Sequence, residues 1–224
     1  MIRKLFLQTF LWFGLMGVIL FIAAGTLRWP GAWIFLMLMI GLGIATGLLL
    51  AHYDPALLEE RLKPPVQRSQ AKADRFVMIA ILVAFNGWLI LMGLDRRFGW
   101  SSVPDWVQAM GAIGITLSIL SGYRVMRENS FLAPVVKIQA ERAQRIITTG
   151  PYRYVRHPFY TGSLLLFLGA PLLLGSWWGL TGAAVLIGIL CIRILIEENT
   201  LRSALPDYEA YAARVRYRLI PLVW

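Results

Sequence analysis

The stretch TGPYRYVRHPFYTG (residues 149–162) runs directly into an apolar segment of 38 residues, 159–196. It holds three tyrosines, two arginines, two prolines and a histidine. Polar and turn-forming groups crowded at the entrance to an apolar segment are compatible with two interpretations. They could form a basic, aromatic membrane anchor, or a site built at the membrane surface.

The length of the apolar segment decides how it must fold. As one helix it would be about 57 Å long, nearly twice the hydrocarbon thickness of a bilayer. Pro171, Gly175 and Ser176 lie near its middle and predict a break there. The segment is therefore predicted to form a tight hairpin of two transmembrane helices, residues 159–174 and 177–196.

The composition places the whole chain in a membrane. The chain has 224 residues, of which 58% are hydrophobic and 15% charged, and its mean hydropathy is +0.64. Four further apolar runs predict transmembrane helices at about residues 5–27, 31–51, 76–94 and 104–126. The predicted fold class is an all-α integral membrane protein with about six transmembrane helices.

Two polar segments carry further predictions. Residues 55–62 could form a short helix in the membrane interface. The tail, residues 197–224, is charged and amphipathic, and its aromatic side chains suit it to lie on the interface. These aromatic residues are Tyr208, Tyr211, Tyr217 and Trp224.

The distribution of basic residues predicts the orientation. Of the 22 Lys and Arg residues, 19 lie in the N-terminus, in the connections on one side of the membrane or in the tail. Arg68 belongs to this set. The other side receives only Arg28, Arg96 and Arg97. We therefore expect a multi-pass protein whose termini and candidate site are cytoplasmic.

Several function classes are excluded by composition. The net charge of +10 comes from short basic segments between apolar runs, which indicates contact with membrane lipids and no nucleic-acid partner. The chain has one cysteine, Cys191, and two histidines, which are too few ligands for a typical zinc site, so no metal is expected. No glycine-rich nucleotide-binding loop is present.

Two polar clusters should meet across the hairpin. Arg193 and Glu197 are four residues apart, on one helix face, and Glu198 follows. A snorkelling arginine paired with a glutamate is one reading. The other is a site, because His157 and Tyr160 begin the preceding helix and lie at the same end of the hairpin. A pocket formed by both clusters would suit a zwitterionic ligand, and its residues would be Arg156, His157, Tyr160, Arg193 and Glu197.

These motifs, taken in order, resemble the isoprenylcysteine carboxyl methyltransferase family and the wider group that includes phospholipid N-methyltransferases. The resemblance covers about residues 129–224. It rests on Gly150-Pro151-Tyr152, Arg156-His157-Pro158-Phe159-Tyr160, the apolar hairpin, Glu197-Glu198-Asn199-Thr200-Leu201 and Asp207-Tyr208-Glu209-Ala210-Tyr211.

The resemblance implies an integral membrane enzyme with S-adenosylmethionine as cofactor and a lipophilic small molecule or lipidated substrate taken from the membrane. Lys137 and Gln144 stand where the family has glutamine and histidine. Arg193 would act on the acceptor side. An amine acceptor would need a proton removed, and the candidates for that step are Glu198, Tyr160 and His157. The cofactor-binding residues implied are Lys137, Gln144, Arg145, Ile146, Ile147, Tyr152, Arg156, His157, Pro158, Phe159, Tyr160 and Glu197.

Several readings of the function stay open at this point. Carboxyl methylation of an isoprenylcysteine-like substrate comes first, and N-methylation of a phospholipid headgroup amine is the alternative. A nicotinamide-dependent reductase of sterols is a weaker match, and a non-catalytic lipid-binding protein is the reading from another class. The expected division is a transmembrane hairpin (1–55), a linker with two transmembrane helices (56–126) and an S-adenosylmethionine-binding core (127–224).

Overall fold

The computed structural model describes residues 1–67 and 70–224, and within these ranges the chain is helical without any strand. Arg68 lies outside the described residues. Two short 3-10 turns occur, at Ala140–Arg142 and Gly150–Arg153. The α-helices in the described ranges are α1 (Ile2–Ala24), α2 (Pro30–Tyr53), α3 (Pro55–Arg61), α4 (Lys72–Phe98), α5 (Asp105–Glu128), α6 (Pro158–Leu173), α7 (Gly179–Ala204) and α8 (Tyr208–Arg214).

Five of these helices, α1, α2, α4, α5 and α7, are long and apolar enough to cross a membrane. The sixth expected span, α6, is also apolar but has only 16 residues, about 24 Å of helix. Large apolar side chains cover the outside of the bundle, for example Ile22, Phe76 and Val83, each more than two thirds exposed. Such a surface needs lipid around it. The predicted all-α integral membrane fold is confirmed.

The hairpin of α6 and α7 forms where the sequence predicted it. The break lies at Gly175, which has a positive φ of 75°, and at Ser176. Pro171 does not end the first helix but lies inside α6. The Ser176 hydroxyl accepts a hydrogen bond from the backbone N–H of Gly179 at 2.9 Å and so caps the start of α7. The second helix runs on to Ala204, well beyond the predicted end near residue 196.

Close approach of α5 and α6 fixes the position of the hairpin. A side-chain carbon added at Gly169 would lie 2.7 Å from the carbonyl oxygen of Gly111, so neither helix could carry a larger residue there. Glycine at Gly111 and Gly169 thus allows the two backbones to approach closely. On the other side, the Trp88 indole of α4 donates to the Gly179 carbonyl at 2.6 Å. The hairpin is thus held between α4 and α5.

The short helices lie at one end of the bundle, where they border a cavity together with residues 129–147. The short helix α3 forms where it was predicted, with the Asp54 carboxylate accepting from the N–H of Leu57 at 2.9 Å. Helix α8 is amphipathic, as expected of the tail. Its aromatic residues Tyr208 and Tyr211 are nevertheless buried, at 2% and 5% exposure, against the protein and not on the interface.

Candidate functional site

A cavity of about 250 Å³ lies between residues 129–147, the start of α6, the end of α7 and helix α8. All the site residues expected from the sequence line it except Pro158 and Glu198. The sequence separates these residues by as many as 60 positions, from Lys137 to Glu197. The fold therefore gathers residues from the long polar segment and from both hairpin helices around one space.

The two polar clusters meet across the hairpin as expected. The Tyr160 hydroxyl on α6 donates a hydrogen bond to Glu197 Oε2 on α7 at 2.7 Å. The His157 ring stacks on the Tyr160 ring, with the centroids 5.7 Å apart and the planes 20° from parallel. His157 Nδ1 lies 4.0 Å from Glu197 Oε1. Glu197 thus presents a carboxylate to the cavity beside two aromatic rings, and a quarter of its side chain remains exposed.

Arg193 also lines the cavity, and it forms an ion pair with Asp74 of α4. Its Nε lies 3.0 Å from Asp74 Oδ1, and its Nη2 donates to the Pro134 carbonyl at 2.6 Å. Its guanidinium carbon is 5.8 Å from the centre of the Tyr160 ring. Glu197, four residues on, is hydrogen-bonded to the Tyr160 hydroxyl. Of the two readings that the sequence left open, the snorkelling arginine paired with Glu197 is not what the structure shows, because Arg193 pairs with a carboxylate from another helix.

That carboxylate, Asp74, connects three parts of the site. It is fully buried in the first turn of α4. Besides Arg193, it accepts hydrogen bonds from Gln70 Nε2 at 2.6 Å and from the Val136 backbone N–H at 2.9 Å. Asp74 therefore holds α4, α7 and the loop that carries Lys137 in one arrangement. The sequence analysis did not single it out.

Glu198 does not line the cavity and is fully buried. Its Oε1 lies 2.7 Å from Arg156 Nε and 3.3 Å from His157 Nε2. Its Oε2 lies 3.2 Å from both Arg202 Nη2 and Arg218 Nε. Both oxygens are therefore committed to cations, and the structure does not bring Glu198 to the place of the expected proton acceptor. It joins the start of α6 to α7 and the tail.

Arg156 lines the cavity, yet much of its guanidinium holds the tail. Its Nη1 donates to the carbonyls of Val215 and Arg216 at 2.8 and 3.0 Å. Its backbone N–H donates to the Tyr217 carbonyl at 2.9 Å. Since its Nε is bound to Glu198, Arg156 mainly holds the C-terminal tail against α6 and α7.

The loop side of the cavity is ordered by polar contacts. Lys137 Nζ lies 2.5 Å from Glu60 Oε1 on α3, and both side chains are about 95% buried. Burial opposes ionisation of Glu60, but hydrogen bonds from Lys137 and from Lys63 outweigh it and lower the pKa of Glu60. The Gln144 side-chain oxygen accepts from the Gln139 backbone N–H at 2.8 Å. These contacts place Arg145, Ile146 and Ile147 along the cavity wall.

Three tyrosines close the far wall. The Tyr152 hydroxyl accepts a hydrogen bond from Asn129 Nδ2 at 2.7 Å, and the Tyr211 hydroxyl donates to the Tyr152 carbonyl at 2.9 Å. Burial raises the pKa of Tyr211 to about 12, which keeps this donor protonated. The Tyr208 hydroxyl is buried and has no hydrogen-bond partner among residues 1–67 and 70–224. This wall therefore offers an unused polar group.

Several lining residues were missed by sequence reasoning. Tyr208 and Tyr211 belong to the quoted motif 207–211 and could have been found there. Arg61 comes from the first polar connection, far from the motifs, and no local signal marks it. In the part of the chain that the structure describes, no three His, Cys, Asp or Glu side chains form a possible metal site. The missed lining residues are Arg61, Asn129, Phe131, Leu132, Ala133, Pro134, Val135, Val136, Thr200, Leu201, Leu205, Tyr208 and Tyr211.

The segment that builds the site has known relatives. Residues 107–207 match the sequence profile of the phospholipid methyltransferase family. The resemblance expected from the motifs is thereby confirmed for this segment. The family segment includes nearly all of α5, the cavity-lining loop, α6 and the whole of α7, and it ends just before α8.

Two curated proteins each match about half of the chain. A protein-S-isoprenylcysteine O-methyltransferase of Schizosaccharomyces pombe is 33% identical over 109 residues, which are 48% of this chain and 46% of that protein. Protein-S-isoprenylcysteine O-methyltransferase B of Arabidopsis thaliana is 28% identical over 113 residues, or 49% and 57% of the two chains. The chain spans about half the length of these curated relatives.

One solved structure aligns over most of the chain. It is described as the eukaryotic intramembrane Ras methyltransferase ICMT, isoprenylcysteine carboxyl methyltransferase, without a monobody. The alignment covers 95% of this chain and 74% of that one, at 20% sequence identity and a TM-score of 0.49.

Proposed function

We propose that this protein is a membrane-embedded methyltransferase that uses S-adenosylmethionine and modifies the carboxylate of an isoprenylcysteine-like acceptor. The observation that carries the proposal is the cavity at the open end of the hairpin, which joins the loop, α6 and α7. Residues 107–207, which match the phospholipid methyltransferase profile, supply most of the lining of this cavity, and two relatives named as isoprenylcysteine O-methyltransferases each match about half of the chain.

The residues around the cavity fit the cofactor chemically. S-adenosylmethionine combines an ammonium, a carboxylate and a sulfonium with an adenine ring and a ribose. The cavity offers one carboxylate, Glu197, several cationic side chains, and aromatic and aliphatic surface from Phe159, Ile146 and Ile147. The buried Tyr208 hydroxyl has no hydrogen-bond partner in the described parts of the chain and would be available to a polar group of the ligand. No part of this donor set conflicts with the cofactor.

The chain's own groups take distinct roles in this proposal. Bound S-adenosylmethionine supplies an electrophilic methyl group. Glu197, fixed by the Tyr160 hydroxyl, would hold a cationic part of the ligand, and the His157 and Tyr160 rings would exclude water. Arg193 would orient the acceptor side, with its guanidinium held by Asp74. Lys137, Gln144, Arg145 and Tyr152 would complete the cofactor walls.

The state of Glu198 favours a carboxylate acceptor over an amine. A carboxylate attacks as the anion and needs no proton removed, whereas an ammonium must lose a proton first. Glu198 was one candidate for that proton transfer, and both its oxygens are held in ion pairs away from the cavity. N-methylation of a phospholipid amine is the second candidate, because the matching family is named for phospholipids. It would have to rely on His157 or Tyr160.

We also propose that the site faces the cytoplasm, with both termini on that side. The basic residues support this orientation: the cavity end carries most of them, while Arg28, Arg96 and Arg97 mark the opposite end. In the proposed division, residues 127–224 supply most of the cofactor core and residues 1–126 supply its membrane scaffold.

The test is methyl transfer measured on two acceptors in parallel. Purified protein in detergent or vesicles would receive methyl-labelled S-adenosylmethionine with either a prenylcysteine analogue or total membrane lipid. We expect label in the prenylcysteine fraction that alkali releases, as for an ester. Label in the lipid fraction that resists alkali would instead support N-methylation. Label in neither would overturn the proposed function.

The matched control for this assay is Glu197→Gln, which keeps the size of the side chain and removes its charge. It should abolish transfer to either acceptor if the cavity is the active site. Transfer that persists at the wild-type rate would place the chemistry elsewhere.

A further inference from the structure

Arg61 is a cation of the cavity that lies outside the segment matching the family. It is the last residue of α3, between two membrane-crossing helices, and it lines the cavity. Its Nη1 donates to the Leu132 carbonyl at 3.2 Å, and its guanidinium carbon lies 5.0 Å from the centre of the Phe159 ring. These contacts hold the guanidinium in a fixed plane beside the proposed acceptor space.

Arg61 is half-buried at the cavity and, unlike Arg193 and Lys137, has no counter-ion among the described residues. Arg193 is paired with Asp74, and Lys137 with Glu60. No carboxylate in residues 1–67 and 70–224 lies within ion-pair distance of Arg61, and its Nε and Nη2 donate to no acceptor there. A half-buried guanidinium with free donors can gain an ion pair from an anion that enters the cavity.

The surroundings of Arg61 keep a positive charge at the cavity. Burial and the nearby Arg193 guanidinium lower the pKa of Arg61 to about 10, so that the side chain remains a cation at neutral pH. The helix that carries it is anchored by Leu57 and Leu58, which are buried against Leu5 and Leu50. This packing places the Arg61 backbone at the border of the cavity. An anion that enters the cavity would therefore be close to this cation.

We infer that Arg61 binds the carboxylate of the acceptor and makes the enzyme selective for anionic acceptors. The inference rests on the proposed function and adds a specificity residue from outside the family segment. A guanidinium presents parallel N–H donors that match a carboxylate, which a lysine ammonium cannot do. Arg193, already held by Asp74 and the Pro134 carbonyl, then acts with Arg61 as the second wall of the acceptor space.

The test compares binding of a free acid with binding of its neutral ester. N-acetyl-S-farnesylcysteine and its methyl ester would be titrated into wild-type protein, Arg61→Gln and Arg61→Lys in detergent. We expect the wild type to bind the acid about 10- to 100-fold more tightly than the ester, Arg61→Gln to bind both equally, and Arg61→Lys to fall between. Lys72→Gln, which removes an exposed cation near the same end, should keep the wild-type preference.

A second readout separates recognition from structural damage. Affinity for S-adenosylmethionine and the melting temperature should stay close to wild type in Arg61→Lys, while the KM for the acid rises and kcat changes less. A preference for the acid that survives in Arg61→Gln would overturn the inference, as would equal binding of acid and ester by the wild type. Stronger competition by phosphatidic acid than by the free acid would assign Arg61 to a phosphate instead.

The binding arm does not depend on turnover. A wild type that prefers the acid yet transfers no methyl group would refute the proposed function and leave the role of Arg61 supported. A wild type that transfers methyl groups but binds the acid and the ester equally would support the proposed function and refute the role of Arg61.

Discussion

Replacement of Asp74 by asparagine is the most informative test of how the site is held together. The Asp74 carboxylate accepts three hydrogen bonds, from Arg193 Nε at 3.0 Å, Val136 N–H at 2.9 Å and Gln70 Nε2 at 2.6 Å. An asparagine has one acceptor oxygen, so its amide NH₂ must face at least one of these donors. It also leaves the buried Arg193 without its counter-ion.

The size of the effect follows from these contacts. Loss of one partner from a buried ion pair costs about 3–5 kcal/mol. For a chain of this length, each kcal/mol corresponds to roughly 2–4 °C in melting temperature, so that Asp74→Asn should lower it by roughly 6–20 °C. Removal of the cation as well, in Asp74→Asn/Arg193→Met, should recover about 2 kcal/mol relative to the sum of the single changes.

The assay is thermal unfolding in one detergent, followed by circular dichroism. It compares the wild type, Asp74→Asn, Arg193→Met and the double variant. Asp105→Asn is the control, since Asp105 is exposed in the first turn of α5 and should contribute about 1 kcal/mol or less. If the two single changes at Asp74 and Arg193 are additive within about 0.5 kcal/mol, the ion pair does not stabilise the fold as described.

Three further changes probe separate parts of the molecule. Glu198→Gln, which leaves three arginines around a neutral side chain, should cost about 3 kcal/mol in thermal unfolding, whereas Glu209→Gln, 71% exposed, should cost less than about 1 kcal/mol; equal effects would contradict the role of Glu198 as the centre of the cluster. Gly169→Val should destabilise by at least about 1–3 kcal/mol because its first side-chain carbon already meets the backbone of α5, while Gly188→Ala, with open space around it, should be neutral or stabilising. Tyr160→Phe removes the hydroxyl that fixes Glu197 and should weaken binding of S-adenosylmethionine about 5- to 10-fold in equilibrium dialysis; unchanged affinity would show that this hydrogen bond does not organise the site.

The membrane fold could be predicted from the sequence because its determinants are local. Apolar runs of sufficient length give the helices, and a run too long for one helix forces the hairpin. The meeting of His157 and Tyr160 with Glu197 follows from that hairpin, since both clusters lie at the same end. These predictions required no knowledge of how the other helices pack.

The partners within the site could not be predicted, because they depend on packing between distant segments. Arg193 pairs with Asp74, 119 residues away, in preference to the nearby Glu197. Adjacent helix residues point about 100° apart, so only one of Glu197 and Glu198 can face the cavity, and the sequence does not say which. Arg61 reaches the site only because α3 folds beneath the loop.

The most direct measurement of the central claim is binding of S-adenosylmethionine to the purified protein in detergent. We predict saturable binding by the wild type, its loss in His157→Ala and Glu197→Ala, and its retention in Arg193→Ala, which should lose turnover instead. Absence of binding by the wild type, or near-wild-type affinity in both His157→Ala and Glu197→Ala, would contradict the assignment of the cavity as the cofactor site.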